Sequence, residues 1–364
     1  MTGTPRLFAA SPFRAATAPS PDVLSDVLRA VRLTGAVFLS ARFTEPFGVV
    51  SPKSFDPGLP MAHLRHISIF HLISAGSCTI EMASGTRRHV AKGDILLLPF
   101  AGEHRFWNGD APDMALAQEI VRKGPLDGIW AVEHGGGGAE TKMVCGFIES
   151  SELLFAPFFR TLPDLLVEQV GDQAVGALLA TTVQEVLSLV EAATPGTQMM
   201  LGRMMEILFI EVLRRHAARL ASGDTGLLSA LNDPIVGRAL QSIHLEPARK
   251  WTAADLAREA GTSRTVLADR FNALLGRPPI DYVLSWRIQL AADRLRNSRD
   301  PLAAIAADVG YESEAAFSRA FKRVTGISPG RWREGAGDSP PLMPITLNQP
   351  IIPDPAPLGG RFML

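Results

Sequence analysis

Two stretches near the C-terminal end of this chain repeat each other at an almost constant offset. The sequence SRTVLADRFNALLGRPP (Ser263–Pro279) matches SEAAFSRAFKRVTGISP (Ser313–Pro329) at an offset of 50. Just before them, LAREAGTS (Leu256–Ser263) matches IAADVGYES (Ile305–Ser313), which carries one extra residue after its glycine. Solenoid arrays need three or more repeats, so two copies indicate a pair of related modules.

Each module, residues 252–276 and residues 301–326, has the pattern of a helix-turn-helix. In the first module, Thr252 is placed to cap one helix and Ser263 to cap the next. Gly261 lies between them and supplies the turn, because glycine adopts positive φ at little cost. The long amphipathic stretch 280–298 then predicts a linking helix that holds the two modules about one DNA turn, ~34 Å, apart.

The second helix of each module is predicted to turn its apolar side inward and a polar side outward. Phe317 and Phe321 are four residues apart and therefore share the inner face. Small residues and cations on the other face suit a DNA major groove about 12 Å wide, where arginine contacts guanine or phosphate and lysine contacts phosphate. A solvated face of a packing helix is the alternative interpretation. The candidate DNA-binding residues are Arg264, Thr265, Ala268, Asp269, Glu314, Ala315, Arg319 and Lys322.

Length and charge bound the rest of the chain. At 364 residues it exceeds what one hydrophobic core usually holds, so more than one domain is expected. The net charge is −1, but residues 233–335 contain 16 Lys+Arg and 12 Asp+Glu, a modest local excess of +4. No apolar run reaches the ~20 residues of a membrane span, no secretory signal is evident, and two cysteines make no disulfide framework. We therefore expect a cytoplasmic protein without a membrane partner.

The distribution of residue types along the sequence predicts five segments. Residues 1–20 and the Pro-rich residues 336–364 are predicted to be disordered tails. Residues 21–150 have short apolar runs broken by Gly, Pro and Asp, which is typical of a β-sandwich or barrel, and residues 151–232 read as a helical linker. Residues 233–335 form the all-helical segment. One predicted helix of the linker has a broad apolar stripe, which either packs within the domain or forms a homodimer interface. The stripe comprises Met200, Met204, Ile207, Leu208, Ile210 and Leu213.

The paired modules resemble the DNA-binding domain of AraC-type transcriptional regulators. GDILLLPFAGEHRFWN resembles the second motif of the cupin-type sensing domain in one subgroup of that family, with Ala101 in place of the usual Gly. The resemblance implies an α+β protein with an N-terminal cupin-like β-barrel or sandwich, a helical linker and a C-terminal all-α double helix-turn-helix domain. It implies as partners double-stranded promoter DNA, RNA polymerase and an unknown small-molecule effector, with activation commoner than repression.

A metal-dependent cupin enzyme is the main competing class. Such an enzyme needs a His-x-His pair and a Glu before the later histidine. Here His63, His66 and His71 are spaced by three and five, so that pair is absent, and His104 alone makes no site. We predict no metal, no cofactor and no enzymatic activity.

Two further hypotheses concern the β segment. His71, His104 and Trp107 are the candidate lining of an effector pocket. Cys145 is a candidate redox-sensing thiol, against the alternative that it is a small residue buried in the core, because free cysteine packs like a hydrophobic side chain.

Overall fold

The computed structural model describes the greater part of the chain. The described residues are 22–31, 33–52, 67–110, 113–124, 129–150, 161–169, 177–192, 195–221 and 223–335. The two segments predicted to be disordered tails lie outside these ranges, as do His63 and His66.

The described helices lie mainly in the C-terminal half. They are α1 Val23–Val31, α2 Ala117–Ile120, α3 Ala177–Ala192, α4 Thr197–Arg219, α5 Leu227–Asn232, α6 Val236–Leu245, α7 Ala253–Glu259, α8 Arg264–Leu275, α9 Pro279–Asn297, α10 Leu302–Asp308, α11 Glu314–Thr325 and α12 Pro329–Gly335.

The described strands lie between α1 and α3. They are β1 Leu33–Thr44, β2 Phe47–Ser51, β3 Ile67–Ala75, β4 Ser77–Met82, β5 Arg87–Ala91, β6 Asp94–Leu98, β7 His104–Asn108, β8 Ala115–Leu116, β9 Val121–Lys123, β10 Trp130–Gly135, β11 Glu140–Ser150 and β12 Leu166–Gln169. A sheet-rich N-terminal half followed by helices confirms the predicted α+β class.

The strands form two sheets that share a core. One sheet has seven strands in the order β12-β6-β3-β11-β1-β10-β9, and the other has five in the order β5-β4-β7-β2-β8. Apolar residues from the facing sides of both sheets make one cluster, to which β3 and β11 contribute from the larger sheet and β4 and β7 from the smaller. Every residue of β6 is buried because the opposite face of its sheet is covered by helices.

The sheet domain extends past the predicted boundary at residue 150. β12 pairs antiparallel with β6 and forms an edge of the seven-stranded sheet, inside the segment predicted to be a helical linker. Its buried carboxylate, Glu168, pairs with Arg219 at the end of α4. A strand of four residues is too short to show a periodicity in the sequence, so only the pairing identifies it.

Helix α4 packs against the outer face of the larger sheet, but only part of the predicted stripe takes part in the packing. Met200 and Ile207 are exposed, whereas Leu208 and Leu213 are buried. The buried face is rotated toward other apolar residues of the helix, chiefly Leu201, Met205, Leu208, Phe209 and Val212.

Close approach of two glycines explains the rotation of α4. A Cβ added to Gly35 on β1 would lie 2.4 Å from the carbonyl oxygen of Gly202 on α4, and one added to Gly202 would lie 2.5 Å from the carbonyl oxygen of Gly35. Atoms cannot approach that closely, so the helix presents its Gly202 side to the strand.

Helix α1 joins the core of the C-terminal helices. Val23 and Val27 belong to the same buried cluster as apolar residues of α6, α7, α8 and α9. The side-chain Nε2 of Gln289, on α9, donates to the carbonyl oxygen of Ala30 at 2.9 Å in a fully buried position. The helix that leads directly into β1 is therefore anchored to the paired modules as well as to the sheet.

Candidate DNA-binding surface and sensing domain

The first helix-turn-helix unit has the caps that its sequence predicts. Thr252 Oγ1 accepts from the backbone N–H of Asp255 at 3.1 Å, and the Asp255 carboxylate accepts from the backbone N–H of Thr252 at 3.2 Å. This reciprocal box starts α7. Gly261 makes the turn at φ +70°, and the hydroxyl of Ser263 accepts from the backbone N–H of Val266 at 3.2 Å to start α8.

The second unit repeats this arrangement at the predicted offset. Helices α8 and α11 span twelve residues each and begin 50 residues apart. Gly310 makes the turn at φ +85°, and the Ser313 hydroxyl caps α11 through the backbone N–H of Ala316 at 3.2 Å. Phe317 and Phe321 are fully buried and meet edge to face at 5.6 Å. The predicted helix-turn-helix pair is thus present in the structure.

The outer faces of α8 and α11 present the predicted residues to solvent. Seven of the eight are exposed, and the eighth, Ala268, is half-buried. Within the described residues, the cations Arg264, Arg319 and Lys322 pair with no carboxylate of the protein, so their donors are free for an external partner. The exposed seven are Arg264, Thr265, Asp269, Glu314, Ala315, Arg319 and Lys322.

The linking helix α9 runs between the two units and is well buried. Its 19 residues give it a length of about 28 Å. Trp286 stacks on His244 of α6 with ring centroids 4.0 Å apart, and Tyr282 lies 2.9 Å from Nε2 of the same imidazole. Burial lowers the pKa of His244 to about 3, so this imidazole is neutral at ordinary pH.

In the sandwich, His71 and His104 meet inside the core. Their Nε2 atoms are 3.2 Å apart, His71 is 5% exposed and His104 is 0% exposed. Nδ1 of His71 lies 2.9 Å from Sγ of Cys145, and Nδ1 of His104 lies 2.8 Å from the carbonyl oxygen of Gly102. The ring of Phe106 packs edge-on against both imidazoles.

Cys145, His71, His104 and the carbonyl group of Gly102 form a row of hydrogen bonds, and that carbonyl group fixes the direction of each. A carbonyl oxygen only accepts, so Nδ1 of His104 carries the proton and its Nε2 is an acceptor. Nε2 of His71 must then donate to His104, which leaves Nδ1 of His71 to accept from the thiol of Cys145. Burial lowers the pKa of both imidazoles, that of His104 to about 4, and raises the pKa of the Cys145 thiol. These side chains are therefore uncharged, bond to partners inside the protein and are sealed from solvent.

Trp107 does not join His71 and His104. It is separated from His104 by three positions on β7, so its side chain lies on the opposite face of the smaller sheet. There it is flanked by the guanidinium groups of Arg87 and Arg105, at 5.1 and 5.4 Å from the ring centroid. The structure therefore brings together two of the three predicted pocket residues and places the third apart from them.

No metal centre is evident in the part of the chain that the structure describes. There, no group of three or more His, Cys, Asp or Glu side chains is arranged to hold a metal ion. His63 and His66, two of the three histidines whose spacing argues against a metal site, lie outside the described residues. Among the described helices, none is both long and apolar enough to cross a bilayer.

One groove of the sandwich opens to solvent at the start of β2 and the end of β10. Its volume is about 310 Å³. Phe47 and Met114 give it apolar walls, and Asp113 and His134 add a carboxylate and an imidazole. These residues come from two separate strands and a loop, so no local motif in the sequence brings them together.

Comparison with known proteins matches both halves of the chain. A family model described as Cupin matches residues 22–218, and one described as Helix-turn-helix domain matches residues 256–335. The HTH-type transcriptional regulator AlkR of Acinetobacter baylyi is 30% identical over 270 residues, which cover 73% of this chain and 87% of AlkR.

Two further relatives extend this picture. A putative AraC-like transcription regulator of Streptomyces antibioticus is 48% identical over 128 residues, which cover 35% of this chain. The matched part spans only 42% of the length of that relative. The RCS-specific HTH-type transcriptional activator RclR of Escherichia coli is 26% identical over 267 residues, which cover 73% of this chain and 84% of RclR.

A cupin sandwich joined to paired helix-turn-helix units defines a class of transcription regulators. The chain belongs to the AraC-like transcriptional regulators that carry an N-terminal cupin domain. This membership confirms the predicted family, several members of which are named transcriptional regulators.

Proposed function

We propose that the protein binds promoter DNA sequence-specifically and inserts α8 and α11 into adjacent stretches of the major groove of one duplex. The carrying observation is that each helix buries its two inner anchors completely, Leu267 and Phe271 on α8 and Phe317 and Phe321 on α11, while its polar face stays open. Arg319 on α11 is the proposed base-reading residue, because an exposed guanidinium on this face has the geometry for a guanine edge. Lys322 is the proposed phosphate contact. Arg264, Thr265, Ala268 and Asp269 fill the equivalent face of α8, and Glu314 and Ala315 complete that of α11.

Arg319→Ala tests this proposal. We expect the variant to lose about 1–3 kcal/mol of binding free energy on its operator and to discriminate less at one base pair. Binding is measured by fluorescence anisotropy on the operator found by genomic footprinting and on a scrambled duplex. The matched control is Arg88→Ala, which removes an exposed arginine from β5 of the sandwich. Equal affinities of Arg319→Ala and wild type for both duplexes would falsify the proposed role of α11.

The cupin domain is proposed to sense a small molecule. His71 and His104 are sealed in the core, so they reach an effector only if the sandwich opens. The groove beside Phe47 and His134 is open and of a size for a small ligand, and it supports the placement of the effector there. Calorimetric titration of Phe47→Ala beside wild type, with the ligand named by a screen, checks this placement; unchanged affinity counts against it.

Further proposals concern partners and location. We propose a cytoplasmic location and a role as an activator that acts beside RNA polymerase, since promoter DNA and polymerase must both be within reach; one relative, RclR, is named a transcriptional activator. Exposed Met199, Met200 and Ile207 on α4 support a homodimer. Sedimentation velocity of the full chain tests the homodimer, and a monomer at all concentrations contradicts it. Transcription from a footprinted promoter in vitro tests activation, and a repressed promoter contradicts it.

Thiol-based sensing by Cys145 is not proposed, because that thiol is buried and bonded to His71.

A further inference from the structure

Arg287 lies in the middle of α9 with its guanidinium group among backbone carbonyls. The residue is only 8% exposed. Its Nε donates to the carbonyl oxygen of Pro247 at 2.7 Å, Nη2 to that of Arg249 at 2.7 Å, and Nη1 to that of Gly310 at 3.1 Å. Within the described residues it forms no ion pair with a carboxylate. The cation is therefore held entirely by main-chain oxygens.

Those three carbonyls belong to two segments, one leading into the first unit and one inside the second. Pro247 and Arg249 lie in the connection between α6 and α7, at the entrance to the first helix-turn-helix. Gly310 is the turn residue of the second. One side chain on the linking helix thus joins the entrance of the first unit to the turn of the second. Because a guanidinium is a rigid planar fork, its donors constrain both the distance and the angle between the segments they contact.

The two turn glycines of the repeat differ at this contact. A Cβ on Gly310 would lie 2.5 Å from the carbonyl oxygen of Ala248 and 2.9 Å from Nη2 of Arg287. A Cβ on its counterpart, Gly261, would meet nothing closer than Arg238 at 3.6 Å, which is an ordinary contact. The second turn is therefore pressed against the 246–251 connection, whereas the first turn is free of such a contact.

An ion pair spans the same junction. Lys250 Nζ lies 2.6 Å from the carboxylate of Glu312, although both side chains are largely exposed and contribute little by themselves. The ring of Tyr311 lies 5.9 Å from the Arg287 guanidinium carbon. Contacts from one connection, 246–251, thus converge on one turn, 310–312.

We propose that Arg287 is a positioning residue for DNA recognition, which fixes the orientation of α11 relative to α8 and so sets the spacing between the two DNA elements that one chain reads. This inference rests on the proposed function, in which both helices contact one duplex. Loss of the guanidinium removes the hydrogen bonds to Pro247, Arg249 and Gly310, so this side chain no longer joins the two units and they can separate or rotate about α9.

The test measures spacing preference and not affinity alone. The operator is varied by insertions and deletions of one to three base pairs between its two elements, and a further duplex keeps only one element intact. We expect wild type to lose about tenfold in affinity at the wrong spacing, because only one of its two recognition helices can then contact its element. Arg287→Met should flatten this profile to within about threefold while its affinity for the one-element duplex stays within about twofold of wild type.

Arg333→Met is the matched control. Its Nη2 donates to the carbonyl oxygen of Asp300 at 2.6 Å, a contact between the two ends of the second unit that does not reach the 246–251 connection. It should keep the wild-type spacing profile. Arg287→Lys serves if the methionine variant does not fold, since lysine keeps the charge but not the fork, and its profile should also be flatter than that of wild type.

The outcomes separate this inference from the proposed function. A folded Arg287 variant that keeps the wild-type spacing profile overturns the positioning role. A wild-type protein that tolerates every spacing equally also overturns it. By contrast, failure of the wild-type protein to bind a duplex with two elements at all refutes the proposed function itself.

Discussion

Nε2 of His71 and Nε2 of His104 lie 3.2 Å apart in the core of the β-sandwich, with both imidazoles neutral. Two charged rings at that distance and depth would repel each other and lose their hydration. The pair is stable because His104 donates to Gly102, His71 donates to His104, and Cys145 donates to His71. Its protonation state therefore couples to folding.

We predict that the protein loses stability as the pH falls from about 6.5 toward about 4. Burial holds the pKa of His104 at about 4, below its ordinary value of 6.5, and lowers that of His71. The unfolded chain binds more protons in that window, so the free energy of unfolding falls as the pH falls. Between about pH 7 and about pH 5, the free energy of unfolding of His104→Gln should fall by about 2 kcal/mol less than that of wild type, measured by urea denaturation.

His89→Gln is the control for the pH experiment. His89 is an exposed residue of β5, so its replacement should leave the pH dependence of stability as in wild type. If His104→Gln shows the same slope as wild type, the buried pair does not set the acid sensitivity of the fold.

We predict that neither thiol reacts while the protein is folded. Cys78 is 0% exposed and Cys145 is 1% exposed. Burial raises the pKa of Cys78 to about 12 and also raises that of Cys145, and only a thiolate attacks a disulfide reagent. An aromatic disulfide reagent should therefore label both cysteines in denaturant and neither in native buffer. Rapid labelling of the native chain would show that the sandwich opens and would revive thiol sensing.

A functional control accompanies the labelling. Cys145→Ser keeps a donor to His71, so any response to oxidants in a reporter strain should persist in this variant. A response that disappears with the serine would make Cys145 a sensor despite its burial.

We predict that Gly310→Ala destabilises the protein more than Gly326→Ala. Both glycines have positive φ, +85° and +81°, so alanine pays a similar conformational cost of about 1–2 kcal/mol at each. At Gly326 the added Cβ meets open space, whereas at Gly310 it meets the carbonyl oxygen of Ala248 at 2.5 Å. The clash should add about 1–3 kcal/mol, measured as the difference between the two variants in chemical denaturation. Equal losses of stability in the two variants would mean that the 246–251 connection moves aside for the added Cβ at no cost in free energy.

Much of the helical half could be predicted from the sequence because its signals are local. The capping residues Ser263 and Ser313 and the turn glycines Gly261 and Gly310 act on backbone within four residues of themselves. Helical periodicity then identifies the inner residues. For this reason the caps of the four helices in the two units lie where the sequence indicates, while the DNA contacts of α8 and α11 stay a prediction.

Where an expectation about packing failed or remained open, the deciding contact is distant in sequence. The buried face of α4 depends on Gly35, which lies 167 positions from Gly202. The predicted effector pocket places Trp107 beside His104, but the two residues are three positions apart on one strand, so their side chains lie on opposite faces.

The sequence by itself determined the class of this protein, two helix-turn-helix units behind a β domain, because caps, turns and periodicity act over a few residues. Only the tertiary structure decided which polar groups are sealed and what joins the two units. The partners of Arg287 are main-chain carbonyls, which every residue carries, so no side-chain pattern in a sequence can mark them.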